Sequence, residues 1–338
     1  MIVKRFETPE SPGYDIIIGD HLLGKTAALL GLFPRSRVLV VTEEGVPTVY
    51  PDKVEESFSG TGCSVFRVTL PGGEEHKNLN NISLILESLI LYSFNRNDAV
   101  ISVGGGVTGD TAGFAASIYM RGIDFYNVPT TLLSQADSSV GGKTGVNFGG
   151  IKNMIGAFHQ PKGVLIDTDT LTTLPERQFS NGMAEIIKMA AAFDARLFDD
   201  IGTVSPVGDI VSRALDIKIS VVRADEKESG LRRSLNFGHT IGHGIELNSD
   251  LFHGEAVGIG MLAMSEHEAR QKISEKLSAF GLPLTAKISA DDVMNAVMHD
   301  KKSSSGGVRC IICDKIGTFR EKLLSADEIK ERLLSVLR

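Results

Sequence analysis

Between Ala99 and Met120 a short apolar run, AVISV, breaks on three glycines and opens into TAGFAASIYM, a stretch with helical spacing. The turn holds Gly104, Gly106 and Gly109 in the pattern G-x-G-x-x-G. A strand, a glycine turn and a helix start in that order confine the chain to a parallel sheet flanked by helices. They also leave backbone amides at a helix N-terminus, where a phosphate group can be held.

The surrounding pattern agrees. VLVVT at 38–42, CSVFRVTL at 63–70, DFYNVP at 124–129 and GVLID at 163–167 are strand-like, and Asn78 to Tyr92 has helical periodicity. From about Leu171 the runs GMAEIIKMAAAFDARLFDDI, DIVSRALDIKISVVRAD, HTIGHGIELN and EAVGIGMLAMSEHEARQK predict helices, with only VRCIICD and Ile316 to Phe319 extended. The expected architecture is a Rossmann-like α/β domain with a mostly parallel sheet over 1–170, then a mainly α-helical domain over 171–338. At 338 residues and 42% apolar content, two such domains can each bury a core.

Composition narrows the function. A net charge of −7 gives no basic footprint for nucleic acid or an anionic membrane, so phosphate must be met by local lysines. No apolar stretch reaches the roughly 18 residues of a membrane span, and MIVKRFETPE lacks a signal-peptide core. A cytoplasmic location is expected. Three cysteines, Cys63, Cys310 and Cys313, make no disulfide framework, and the last two lie in an apolar strand rather than at a helix start.

Two further features belong with the glycine turn. Glu43 ends a strand where a ribose-hydroxyl acceptor is expected, and GGEEHK places Glu74 and Lys77 in a loop that would line a ligand crevice. The segment from Pro129 to Asn153 resembles a P-loop only superficially, because Asp137 stands where that motif needs glycine. It keeps Lys143 and Lys152 in glycine-rich turns, with Ser139, Thr144 and Asn153 nearby, as candidate oxyanion ligands facing a pocket rather than solvent.

In the second half, His239 and His243 are four apart on one helix face, and His253 follows in LFHGEAVGIGM. Glu185 and Lys188 are three apart in GMAEIIK. One glutamate with two histidines suits zinc with an open position, but spacing alone leaves open which two histidines bind. The other five, His21, His76, His159, His267 and His299, are scattered.

From about Val38 to Gly317 the chain resembles the 3-dehydroquinate synthases, within the sugar phosphate cyclases. The motifs are GGEEHK, GGGVTGDTAGF, PTTLLSQADSSVGGKTGVN, IKNMIGAFHQP, LPERQFSNGMAEIIK, DEKESGLRRSLNFGHTIGHGIE and HGEAVGIGM. The resemblance implies metal ligands Glu185, His239 and His253, with zinc expected and cobalt as an alternative, and leaves His243 facing substrate. It implies NAD held by Glu43, Gly72, Gly73, Glu74, Glu75, His76, Lys77, Gly105, Gly106, Val107, Thr108, Gly109, Asp110, Thr130, Thr131, Lys143, Lys152, Thr170, Leu171, Thr172, Thr173 and Leu174. It assigns substrate contacts to Asp137, Lys143, Lys152, Asn153, Lys188, Lys218, Arg232 and Asn236, with Lys301 or Lys302 and with Arg121 reaching the partner of a homodimer.

The implied reaction converts 3-deoxy-D-arabino-heptulosonate 7-phosphate to 3-dehydroquinate and phosphate. It runs by transient oxidation with NAD, phosphate elimination, re-reduction, ring opening and an intramolecular aldol closure. The small phosphorylated sugar acid is the expected partner, with neither nucleic acid nor membrane. Two positions depart from the family: Glu43 stands for its usual aspartate and Gln178 for its usual glutamate, both near the dinucleotide. The alternatives are another cyclase such as a 2-deoxy-scyllo-inosose synthase, a metal- and NAD-dependent polyol dehydrogenase, or a non-catalytic NAD sensor.

Overall fold

The computed structural model describes residues 1–9, 11–32, 36–203, 205–226, 228, 230–300 and 307–338. It forms two compact units, Met1–Leu174 and Pro175–Arg338. The division falls a few residues beyond the expected boundary, so Leu171 to Leu174 belong to the first unit. No described helix is long and apolar enough to cross a membrane.

In the first unit the strands are β1 (Ile2–Thr8), β2 (Ser11–Gly19), β3 (Arg37–Glu43), β4 (Ser64–Leu70), β5 (Ala99–Gly104), β6 (Asp124–Pro129), β7 (Lys143–Phe148), β8 (Ile151–Phe158) and β9 (Gly163–Asp167). Seven of them form one sheet in the order β1-β2-β9-β6-β5-β3-β4. Within that sheet only the β1–β2 pair is antiparallel among the described residues. The central strands read as unbroken apolar runs because both faces are covered. Val38 and Val40 point into one core with Ile101, Val128 and Leu165, while Leu39 and Val41 point into another with Val100, Ile85 and Leu89. That split is the period-two alternation of a strand.

The chain runs from β3 outward to β4, then returns to β5 on the other side of β3 and continues to β6. The carboxyl ends of β3 and β5 therefore flank the point where strand order reverses, the usual ligand crevice of an open α/β sheet.

Several elements differ from the sequence expectation. The β1–β2 pair extends the sheet at one edge, and β7–β8 forms a separate hairpin within what was expected to be loop. In the second unit, Asp194 accepts a hydrogen bond from the Leu197 amide and starts a new helix, splitting the expected run into Glu176–Phe193 and Ala195–Asp200. Helix His253–Ala263 likewise ends before His267–Ala279, because Met264 and Glu266 pair with Cys313. The strand Val308–Ile312 pairs with Arg320–Leu324, and Ile316 to Phe319, expected extended, form the turn between them.

Candidate active site

The carboxyl ends of the parallel strands gather most of the dinucleotide candidates. Glu43 closes β3, Gly72 to Lys77 follow β4, Gly105 to Asp110 follow β5, Thr130 and Thr131 follow β6, and Thr170 to Leu174 follow β9. Gly105 precedes the helix Gly106–Ile118, and no side chain caps that helix. A β-carbon on Gly105 would come 3.2 Å from Thr131 Cγ2, and one on Gly106 would come 3.1 Å from Ser138 Oγ. Glycine thus keeps the turn close to its neighbours and leaves the first-turn amides for a ligand. These residues fit a pyrophosphate-bearing cofactor.

Glu43 Oε1 accepts a hydrogen bond from Thr108 Oγ1 at 2.8 Å, and its carboxylate also meets the Gly73 and Gly105 amides. Burial pushes this carboxyl above its ordinary value, and the three hydrogen bonds only partly offset that. The acid ties the two glycine loops together.

Lys77 is buried and donates to Asp110 Oδ2 and Asn153 Oδ1, each at 2.6 Å. Asn153, with φ of 52°, donates its amide to Asn147 Oδ1 at 2.9 Å, and Asn147 Nδ2 reaches Glu74 Oε1 at 2.9 Å. Glu74, Lys77, Asp110 and Asn153 therefore form one network linking the β4 loop, the glycine helix and the β7–β8 hairpin. Lys143 and Lys152, expected to face a pocket, are exposed on that hairpin. Both leave the glycine turns for strands, so the loop reading of this segment is corrected. Asp137 lies in the turn of π-helix at Ser134–Ser138.

In the second unit, three helices converge on the metal candidates. Glu176–Phe193 carries Glu185 and Lys188, His239–Leu247 carries His239 and His243, and His253–Ala263 begins with His253. Their approach is set by glycine. A β-carbon on Gly254 would lie 2.1 Å from Asn181 O, and one on Gly260 2.0 Å from Gly238 O. Gly238 itself precedes its helix at φ of 80°, a left-handed conformation that favours glycine.

The ligand atoms of Glu185, His239 and His253 all lie within 4.8 Å of one another. Glu185 Oε1 is 3.7 Å from His239 Nε2 and 3.5 Å from His253 Nε2. Neither separation is a hydrogen bond, and both Glu185 oxygens are buried without a hydrogen-bond partner, although Oε2 is in ion-pair contact with Lys188 Nζ. Lys188 meets Oε2, but Oε1 is left facing two imidazoles with no donor, and a buried acceptor without one costs roughly 1–3 kcal/mol. A cation among one oxygen and two nitrogens would remove that cost, so the residues fit a divalent metal.

The histidine tautomers agree. His239 Nδ1 lies 3.2 Å from Phe237 O and His253 Nδ1 lies 3.1 Å from Glu246 Oε2. Both acceptors lack a proton, so each Nδ1 donates, and Nε2 is in each ring the nitrogen that faces Glu185 and that a metal would take in place of a proton. Burial and the Lys188 ammonium hold His239 well below its ordinary pKa. Burial opposes protonation of His253, but Glu185 and Glu246 outweigh it and push that imidazole up to about 9. Burial also resists ionisation of Glu185, yet Lys188 and the two imidazoles hold it well below the carboxylate range. His243 is exposed, its ring centroid 5.1 Å from that of His239. Glu246 was not singled out from the sequence, although it follows His243 by three residues on the same helix face.

Lys188, Lys218 and Arg232 are each less than one-tenth exposed. Their elements, Glu176–Phe193, Val207–Ala224 and the short turn Leu231–Asn236, pack on one another. Arg232 donates to Glu226 O at 2.5 Å, and Asn236 donates to Glu228 Oε1 at 2.9 Å. Three buried cations on adjoining elements, one of them touching Glu185, suit an anionic ligand. Gln178 Oε1 accepts from Asn181 Nδ2 at 3.5 Å. Arg121 is exposed in a turn where Met120 and Arg121 adopt φ of 49° and 69°. Lys301 and Lys302 lie outside the described residues.

Comparison with known proteins gives two adjoining family matches. The model described as 3-dehydroquinate synthase N-terminal covers 67–181, and that described as 3-dehydroquinate synthase C-terminal covers 182–303. A 3-dehydroquinate synthase of Dehalococcoides mccartyi strain CBDB1 is 41% identical, with 96% of each chain covered. Among solved structures, 2-deoxy-scyllo-inosose synthase complexed with carbaglucose-6-phosphate, NAD+ and Co2+ is 27% identical at a TM-score of 0.88, covering 99% of this chain and 100% of that one. ValA, a 2-epi-5-epi-valiolone synthase from Streptomyces hygroscopicus subsp. jinggangensis 5008 with NAD+ and Zn2+ bound, is 26% identical at 0.87, covering 98% and 99%.

Proposed function

Since this chain belongs to the 3-dehydroquinate synthase family, we propose that it converts 3-deoxy-D-arabino-heptulosonate 7-phosphate to 3-dehydroquinate and phosphate as a carbon–oxygen lyase, using NAD and one divalent metal. The observation that carries the reading is the buried Glu185 carboxylate set against the Nε2 atoms of His239 and His253. NAD would be held by the loops that follow β3, β4, β5, β6 and β9, and zinc by the three ligands, with cobalt able to replace it. When bound, the dinucleotide supplies a reversible hydride acceptor and the ion supplies Lewis acidity at the hydroxyl being oxidised.

The chain's own residues do the rest. The uncapped helix start at Gly106 offers its first-turn amides to the pyrophosphate, and the network through Lys77 and Asp110 fixes the loop beside it. Lys188, Lys218 and Arg232 offer buried positive charge to the substrate's carboxylate and phosphate, where charge-assisted bonds are strongest. Lys143, Lys152, Asn153, Asp137 and Asn236 complete the substrate set, and His243 presents an imidazole beside the metal ligands. The departing phosphate is itself a base, so no further strong base is needed.

Two finer assignments accompany this reading. The functional form is a homodimer in which Arg121 reaches the partner's site, supported by its exposure in a positive-φ turn beside exposed Ile118 and Met120. The location is cytoplasmic, supported by three unbridged cysteines.

The test uses purified protein with zinc, catalytic NAD and excess heptulosonate phosphate. One phosphate should be released per turnover with no steady rise in NADH absorbance. NADH accumulating in proportion to product would replace the cyclase reading with a polyol dehydrogenase.

A further inference from the structure

We infer that Glu246 is a positioning residue for the metal: by accepting the His253 Nδ1 proton, it commits Nε2 of that ring to the ion held with Glu185 and His239. The inference rests on the metal site proposed above.

His253 is the first residue of its helix and its side chain is 29% exposed, so packing constrains its ring less than that of His239. His239, at 13%, is held by its surroundings and by the Phe237 carbonyl. For His253 the only contact of that kind among the described residues comes from a side chain, Glu246 Oε2 at 3.1 Å. The Glu246 side chain is itself only 10% exposed and projects from the neighbouring helix His239–Leu247. A carboxylate accepts and cannot donate here, so Nδ1 keeps its proton, and Nε2 on the other side of the ring is the nitrogen that gives up its proton to a metal. Carboxylate partners of this kind orient metal-bound histidines and raise their basicity.

The same carboxylate also belongs to a second cluster. His243, Glu246 and His253 form another group whose ligand atoms lie within 4.8 Å. The two groups share His253, whose Nε2 faces Glu185 and whose Nδ1 faces Glu246, so a ring that keeps its proton on Nδ1 can serve only the Glu185 group. Glu185 Oε1 lacks a hydrogen-bond partner, whereas Glu246 already accepts from His253. The orphan marks the Glu185 group as the ion's position and leaves Glu246 outside it.

The experiment titrates Co2+ alone into the metal-free full chain and reads both affinity and the visible d–d spectrum. Glu246→Ala should weaken binding about 10- to 100-fold, with the spectrum at saturation still that of one carboxylate and two imidazoles. Glu246→Gln keeps an acceptor for the Nδ1 proton and should recover most of the affinity. Far-UV circular dichroism of the metal-free variants should match the parent. A Glu246→Ala affinity within about twofold of the parent would remove Glu246 from the support of the site. Loss of all Co2+ binding in both Glu246 variants while His239→Ala still binds would place the ion on the His243 group. A parent chain that binds no Co2+ would overturn the metal site itself, a separate failure from either of these.

Discussion

Replacing Glu185 by Gln preserves shape and removes one charge, which isolates the Glu185–Lys188 pair. Both side chains are almost wholly buried, 1% and 4% exposed, and the pair is in direct contact. In chelator-treated protein the change leaves Lys188 charged in a dry site. Breaking a buried pair from one side costs about 3–5 kcal/mol, and because Gln still offers Lys188 an acceptor the lower figure applies. For a unit the size of Pro175–Arg338 each kcal/mol moves the melting temperature by about 2–4 °C, so the expected loss is about 6–12 °C. Thermal melting in EDTA reads it directly. Adding Lys188→Met should restore most of the stability while metal binding stays lost, because the double variant has neither the charge to strand nor the oxygen to ligate. A single variant melting within about 2 °C of the parent, or a double variant no better than the single, would refute the buried-pair account.

Two more outcomes follow from other groups. Burial raises the Glu43 carboxyl above 4.5, so the folded chain holds more protons than the unfolded one just above that pH. Its ionisation should therefore erode stability as pH rises from 4.5 through the folded value, and denaturation of Glu43→Gln across that range should lack this slope. Cys313 is fully buried, against the Ala191 and Lys315 carbonyls, and burial pushes its thiol up to about 12. Ellman's reagent at about pH 8 should label at most Cys63 in the native chain, and rapid labelling of Cys310 or Cys313 would contradict their burial.

The central sheet was legible because strands buried on both faces must be apolar throughout. VLVVT and AVISV have no other use in a chain of this composition. The β7–β8 hairpin was missed for the opposite reason. Its exposed residues include Phe148, Ile151, Met154 and Phe158 among lysines and asparagines, so no clean alternation remains, and only Gly149 and Gly150 mark the turn. The pairing of His239 with His243 on one face could be read from spacing. The approach of His253 Nε2 to Glu185 could not, because it depends on a third helix folding back through glycine contacts distant in sequence. Glu246 was hidden similarly: its partner lies seven residues away across a helix break, a distance no periodicity marks.

Those glycine contacts bear on which ions the chain can use. Gly254 against Asn181 and Gly260 against Gly238 are backbone touching backbone, with no compressible side chain between. The helices carrying the three donors can neither draw closer around a small ion nor spread without breaking packing, so the site is an aperture of set width rather than a clamp. Exchange among ions of similar radius then has to be absorbed by imidazole and carboxylate torsions alone. Calcium, which prefers many oxygen ligands at longer distances, would find neither the donors nor the room for them here.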